Sequence, residues 1–106
     1  MTARRAFARA LFEGLQIIWP VLSVMLALIA GIGAVVGLIE GWGVWHGLYF
    51  GFITALTIGY GDLVPTHPLA QLLAVLAGFT GIGMVALLAG LSVRAFHVTM
   101  ERTRKD

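Results

Sequence analysis

No Lys or Arg occurs between Arg9 and Arg94. A small soluble domain needs charges of both signs over its surface, and a stretch of this length without one basic side chain cannot supply them. Past Glu13, the only acids before Arg94 are Glu40 and Asp62. With 59% of 106 residues apolar and 11% charged, the bilayer is the better solvent for this chain. The basic residues sit at the two ends: Arg4, Arg5 and Arg9, then Arg94, Arg102, Arg104 and Lys105. Cytoplasmic flanks of membrane helices collect Lys and Arg. Both termini are therefore expected in the cytoplasm, with an even number of crossings between them. A net charge of +2 makes no nucleic-acid surface, and without cysteine there is no disulfide framework.

Two apolar runs are long enough to cross. Residues 20–39 carry no charge, and a helix of that length spans about 30 Å, the thickness of the hydrocarbon core. Gly31, Gly33 and Gly37 give it a narrow side that another helix can approach. The second run, 69–93, follows His67-Pro68 and ends at Arg94. The start of the chain, residues 3–16, reads either as an amphipathic interfacial helix or as an extension of the first spanning helix. The apolar run after it is too long for the core of a secretory leader.

The intervening segment decides the function. Residues 44–56 are rich in aromatic and aliphatic side chains, yet both ends must lie on the same side of the membrane. A helix of about 18 Å reaches halfway across and has to return. Irregular backbone at that depth is tolerated only where it lines a cavity or is buried in protein. The returning stretch is Thr57, Ile58, Gly59, Tyr60, Gly61, with glycine at alternate positions. Glycine adopts backbone angles closed to other residues. Alternating it with L-residues aims successive carbonyl oxygens to one side, and stacked rings of such oxygens can replace the water shell of a cation.

The sequence T-I-G-Y-G-D at 57–62 resembles the filter signature of the two-transmembrane potassium channel pore family, of prokaryotic type. Tyr49, Phe50, Thr54 and the Leu63-Val64-Pro65 that follows also fit that family's pore region. The resemblance implies an all-α membrane protein in which two transmembrane helices flank a re-entrant pore helix and an extended filter, assembled as a fourfold homotetramer. It implies a single pore domain over 1–106, made of a possible interfacial helix (1–16), outer helix (17–40), pore helix (44–56), filter (57–62), inner helix (68–94) and cytoplasmic tail (95–106). Backbone carbonyls of Thr57, Ile58, Gly59 and Tyr60, with the Thr57 hydroxyl, would bind dehydrated K⁺, and Gly61 would complete the strand. Tyr60 would pack on Tyr49 and Phe50, and Asp62 would sit at the outer mouth. Gly81, Gly83 and Gly78 are the places for a gating hinge or for close helix packing. K⁺ would be the permeant ion, with no cofactor; membrane lipids, with Arg94 and its basic neighbours as anchors, and no nucleic acid would be the partners. The location would be a prokaryotic inner membrane.

Two departures stand out. Relatives often carry Glu in the pore helix to pair with the Asp after the filter, and here that position is Ile53. Asp62 then needs another partner, a pore-helix Trp or water. Leu56 replaces a second Thr before the filter. The alternatives are a non-selective cation channel of the same architecture and a non-conducting scaffold subunit. An enzyme is not expected: His46, His67 and His97 are scattered and no nucleophile stands beside a base. His97, past the inner end, is either a pH-sensing group or a plain interfacial histidine.

Overall fold

A computed structural model describes residues 2–105. Three helices follow in order: α1 (Ala3–Glu40), α2 (Val44–Ala55) and α3 (Pro68–Lys105). Met1 and Asp106, the outermost residues of the expected end segments, lie outside the described residues. Both α1 and α3 are long and apolar enough to cross a membrane. At 38 residues each they exceed a single crossing, and the molecule extends 59 Å along its long axis. The N-terminal segment is continuous with the spanning helix rather than a separate element. Thr2 caps it, its hydroxyl accepting the Arg5 N–H, and Pro20 lies within it. Arg9 and Glu13 pair at 3.4 Å, one helical turn apart.

The short helix α2 is held against α1 by glycine on both sides. A Cβ placed on Gly33 would stand 2.5 Å from the Gly47 carbonyl oxygen. One on Gly51 would stand 2.9 Å from the Ile29 carbonyl oxygen, and Gly37 and Gly47 block each other similarly. Thus Gly33 and Gly37 on α1 mesh with Gly47 and Gly51 on α2, each pair one turn apart. The expected narrow side of α1 exists, but Gly31 is not on it: nothing lies within 4 Å of its added Cβ. The α2 glycines were legible as the same i,i+4 spacing, repeated on the facing helix.

Two apolar clusters complete the packing. Ile32, Val36 and Phe50 meet Ala70 and Ala77 of α3 in the first. Leu22, Ile29, Ala55 and Met84 form the second. Phe50 packs its ring edge on Trp42 at 5.3 Å between centroids. Alanines on α3 allow close approach where the other helices present bulk.

A polar latch joins the far end of α1 to the start of α3. Gly41 in the left-handed conformation (φ 76°) closes α1, with the Trp42 N–H donating to the Gly37 carbonyl at 2.9 Å. Glu40, read from sequence only as a helix end, accepts from the Thr66 N–H (2.7 Å), the Thr66 hydroxyl (2.9 Å) and the His67 N–H (2.8 Å). His67 Nδ1 is 3.0 Å from the same carboxylate, whose side chain is only 4% exposed. The N–H groups at a helix start have no partner inside the helix, so a carboxylate there is favourable. Pro68 at the first helical position fits the same end.

Two outcomes follow from these contacts. Gly47→Ala should destabilise the purified protein by about 1–3 kcal/mol, the usual range for overpacking, whereas Gly31→Ala should leave its thermal midpoint in detergent unchanged. Equal midpoints for the two variants would refute the meshed-glycine contact. Glu40→Ala should speed amide hydrogen exchange at Thr66 and His67 while leaving the mid-membrane amides of α1 protected; unchanged exchange at both would show that the latch does not hold the α3 start.

Candidate functional site

The segment that returns from α2 begins as a helix cap. The Thr57 N–H donates to the Thr54 carbonyl at 3.1 Å and the Ile58 N–H to the Ile53 carbonyl at 2.8 Å. These are the two bonds of a Schellman motif, which needs a left-handed residue just past the helix. Thr57 is that residue, at φ 60°. Glycine usually occupies the position, and a β-branched residue costs about 1–2 kcal/mol there. Gly59 adds a second N–H to the Ile53 carbonyl at 3.2 Å, and the Thr57 hydroxyl donates to the Leu56 carbonyl at 2.6 Å. The strained start is therefore fastened to α2 by three backbone hydrogen bonds, and the Thr57 hydroxyl adds one to the cap residue Leu56.

Beyond it the backbone alternates. Thr57, Gly59 and Gly61 have positive φ (60°, 55° and 85°), while Ile58 and Tyr60 do not. The period of two matches the glycine spacing, with Thr57 joining the series through the cap. All five residues are exposed in the single chain. Five extended residues reach at most about 17 Å, enough to pass from mid-membrane to the surface.

Asp62 follows, and the side chain of α2 that reaches it is a Tyr rather than a Trp. The Tyr49 hydroxyl donates to Asp62 Oδ2 at 3.1 Å. This contact crosses from the first turns of α2 to the outer end of the strand. Of the other expected supports, Thr54 contributes its carbonyl to the cap, and Ile53 is buried beneath it. Phe50 faces the α1–α3 core, away from the strand. Tyr60 is 70% exposed. Beside the strand, Trp45, Tyr49, Phe52 and Asp62 wall an open apolar hollow of about 610 Å³. Past Asp62, the Gln71 side chain donates to the Pro65 carbonyl at 3.1 Å, and the Glu40 latch takes the next residues.

The three α3 glycines differ. Gly81 is buried, and its added Cβ would overlap the Ala55 carbonyl oxygen at the end of α2. Its lack of a side chain lets α3 press against the base of the strand. Nothing lies within 4 Å of a Cβ on Gly78, and only the end of the Met25 side chain approaches one on Gly83. Met84 is buried against Leu22, Ile29 and Ala55, so it faces the other helices of its own chain. Thr80 returns its hydroxyl to the Leu76 carbonyl. His97 is exposed, its ring 6.3 Å from that of Phe96.

Comparison with known proteins places this geometry in context. The chain is 38% identical over 47 residues to a voltage-gated potassium channel of Aeropyrum pernix, covering 44% of this chain and 16% of that one. It is 37% identical over 59 residues to a calcium-gated potassium channel of Thermoplasma volcanium, covering 55% and 17% respectively. Over 40 residues it is 50% identical to the two pore potassium channel a of Oryza sativa subsp. japonica, covering 38% and 12%. The matched segments thus span less than a fifth of the length of these relatives. No solved structure matches the chain. The family model described as "Ion channel" matches residues 21–97, taking in most of α1, all of α2, the alternating strand and most of α3. On that match, with two membrane-crossing helices around a half-length one, the chain is an integral membrane protein that belongs to this ion channel family.

Proposed function

We propose that the chain is one subunit of a homotetrameric potassium-selective channel whose filter is residues 57–61. The observation that carries this reading is the alternation of positive φ at Thr57, Gly59 and Gly61, fastened to the inner end of a half-membrane helix. The alternation turns the carbonyls of Thr57, Ile58, Gly59 and Tyr60 toward one axis, where four chains would form rings of oxygens in place of the K⁺ hydration shell. The Thr57 hydroxyl stands at the inner end. The C-terminus of α2 carries the negative end of the helix dipole and favours a cation there. The activity is passive conduction, as expected of a family of channels rather than enzymes.

One chain supplies one strand, so the pore needs copies around a shared axis. The exposure of Ile58 and Tyr60, at 46% and 70%, supports this, because an isolated strand would leave them uncovered. The hollow walled by Trp45, Tyr49 and Phe52 is apolar and large enough for the Tyr60 ring of a neighbouring copy. In that assembly Tyr60 sets the filter width from outside, with Tyr49 rather than Phe50 as its aromatic neighbour. The fit of Gly81 against Ala55 favours a packing role there and leaves Gly78 and Gly83 as the freer hinge positions. The basic residues at both ends support cytoplasmic termini, and a prokaryotic inner membrane is the proposed location. A channel that passes Na⁺ equally is the alternative, and Tyr60 in the strand weighs against it.

Liposomes holding the purified protein should pass K⁺ but not Na⁺, and Gly59→Asp or Tyr60→Val should abolish that selectivity. Equal flux of both ions through the wild type would refute potassium selectivity. Tyr49→Phe removes the hydroxyl that reaches Asp62, so current under sustained opening should decay at a different rate from wild type. Identical decay in planar bilayers would show that this hydrogen bond does not set filter stability.

A further inference from the structure

The seam between α1 and α3 opens into a groove toward the basic end of the molecule. Its upper part, about 310 Å³, is lined by Gly14, Ile17, Ile18, Leu87, Gly90 and Leu91. A second hollow of about 200 Å³ continues it and shares Gly14, Ile17, Leu91 and Arg94. The walls of this lower part add Glu13, Val98 and Arg102. The groove is therefore apolar along most of its length and charged at one end.

Its depth matters. From Pro68 to Arg94, α3 rises about 39 Å at 1.5 Å per residue. The hydrocarbon core is about 30 Å thick and the whole bilayer about 40–45 Å. If α3 begins at one surface, Arg94 lies in the headgroup layer of the other. The apolar stretch between Ala86 and Arg94 then covers about 12 Å, most of one leaflet's hydrocarbon depth. Ile17 lines both hollows and is 79% exposed, largely uncovered by the other described residues.

The charges select the occupant. Among the described residues Arg94 and Arg102 make no salt bridge, while Glu13 is paired with Arg9 at 3.4 Å. Glu13 is thus offset, and two guanidinium groups remain at the headgroup end. Guanidinium binds phosphate oxygens in a bidentate fork.

We propose that this groove binds an anionic phospholipid, with an acyl chain along Ile17, Leu87 and Leu91 and the headgroup phosphate on Arg94 and Arg102. The inference rests on the membrane placement of the chain and goes beyond conduction. It is a built site for one lipid, distinct from a general attraction of basic ends to a charged surface.

Native mass spectrometry of the purified full-length protein, titrated with phosphatidylglycerol or phosphatidylcholine, tests it without any current measurement. Wild type should retain phosphatidylglycerol more tightly than phosphatidylcholine. Arg94→Gln with Arg102→Gln should weaken phosphatidylglycerol by roughly thirtyfold, about fivefold for each charge. Gly90→Leu extends into the apolar part and keeps both arginines; a Cβ there meets nothing within 4 Å, and an unchanged thermal midpoint in detergent checks that the fold holds. It should also weaken phosphatidylglycerol, which a purely superficial attraction would not do. Equal retention of the two lipids by wild type, or undiminished phosphatidylglycerol binding in either variant, overturns the site. The chain has no cysteine, so Gly90→Cys gives a thiol that reports on the groove itself. A thiol open to maleimide reagents only in lipid-depleted protein supports the proposal; equal labelling in lipid-bound and lipid-depleted protein overturns it.

Discussion

The architecture depends on backbone meeting backbone where Gly33 and Gly37 of α1 mesh with Gly47 and Gly51 of α2. A helix of 12 residues cannot cross a bilayer, and it gains little by lying free in lipid, because the lipid is as apolar as its side chains. Close van der Waals contact is the force left to hold it, and only glycine permits contact at this range. Once α2 is fixed on α1, its C-terminus is fixed too, and the strand that leaves it has a defined origin.

That strand would otherwise be the least determined part of the chain. Its inner end is set by the cap bonds from Thr57, Ile58 and Gly59 back to α2. Its outer end is set by Tyr49 on Asp62, then by Gln71 on Pro65, then by Glu40 on Thr66 and His67. Gly81 lets α3 close against Ala55 from behind. The ties come from all three helices, so the alternating backbone is held between them rather than by its own propensity. For a filter of carbonyl oxygens this is the relevant property, since ring spacing is a backbone quantity and no side chain in the strand can correct it.

The faces left open have separate explanations. Around the strand, exposed Tyr60, Trp45 and the apolar hollow form the surface that the proposed tetramer would cover. Along α3, Leu72, Phe79, Val85 and Val93 are left largely exposed by the other described residues. Helices in lipid need no such cover, and those in a fourfold assembly would share it. At the basic end, the groove between α1 and α3 combines apolar walls with two guanidinium groups that make no salt bridge among the described residues, which neither water nor a bare apolar helix would match. On these proposals one short chain would separate a surface for ions, a surface for its own copies and a surface for lipid along its length.

Much of this was legible in the residues alone. The missing basic residues between Arg9 and Arg94 dictate two crossings, because charge distribution along a membrane chain is a one-dimensional property. The length of 44–56 dictates a re-entrant helix for a similar reason, and the glycine alternation at 57–61 dictates an unusual strand through local backbone sterics. Other features required the fold. Thr57 entered the left-handed series only because the end of α2 demands such a residue there. Asp62 found Tyr49 because α2 and the strand run back to back, and Glu40 became a latch because α1 ends beside the start of α3. Phe50 and Tyr49 are neighbours in sequence, yet one faces the core and the other the strand, since adjacent helical residues point about 100° apart. Composition and spacing determine which segments exist and where they lie in the bilayer; which side chains meet across segments is settled only when three helices share one packing.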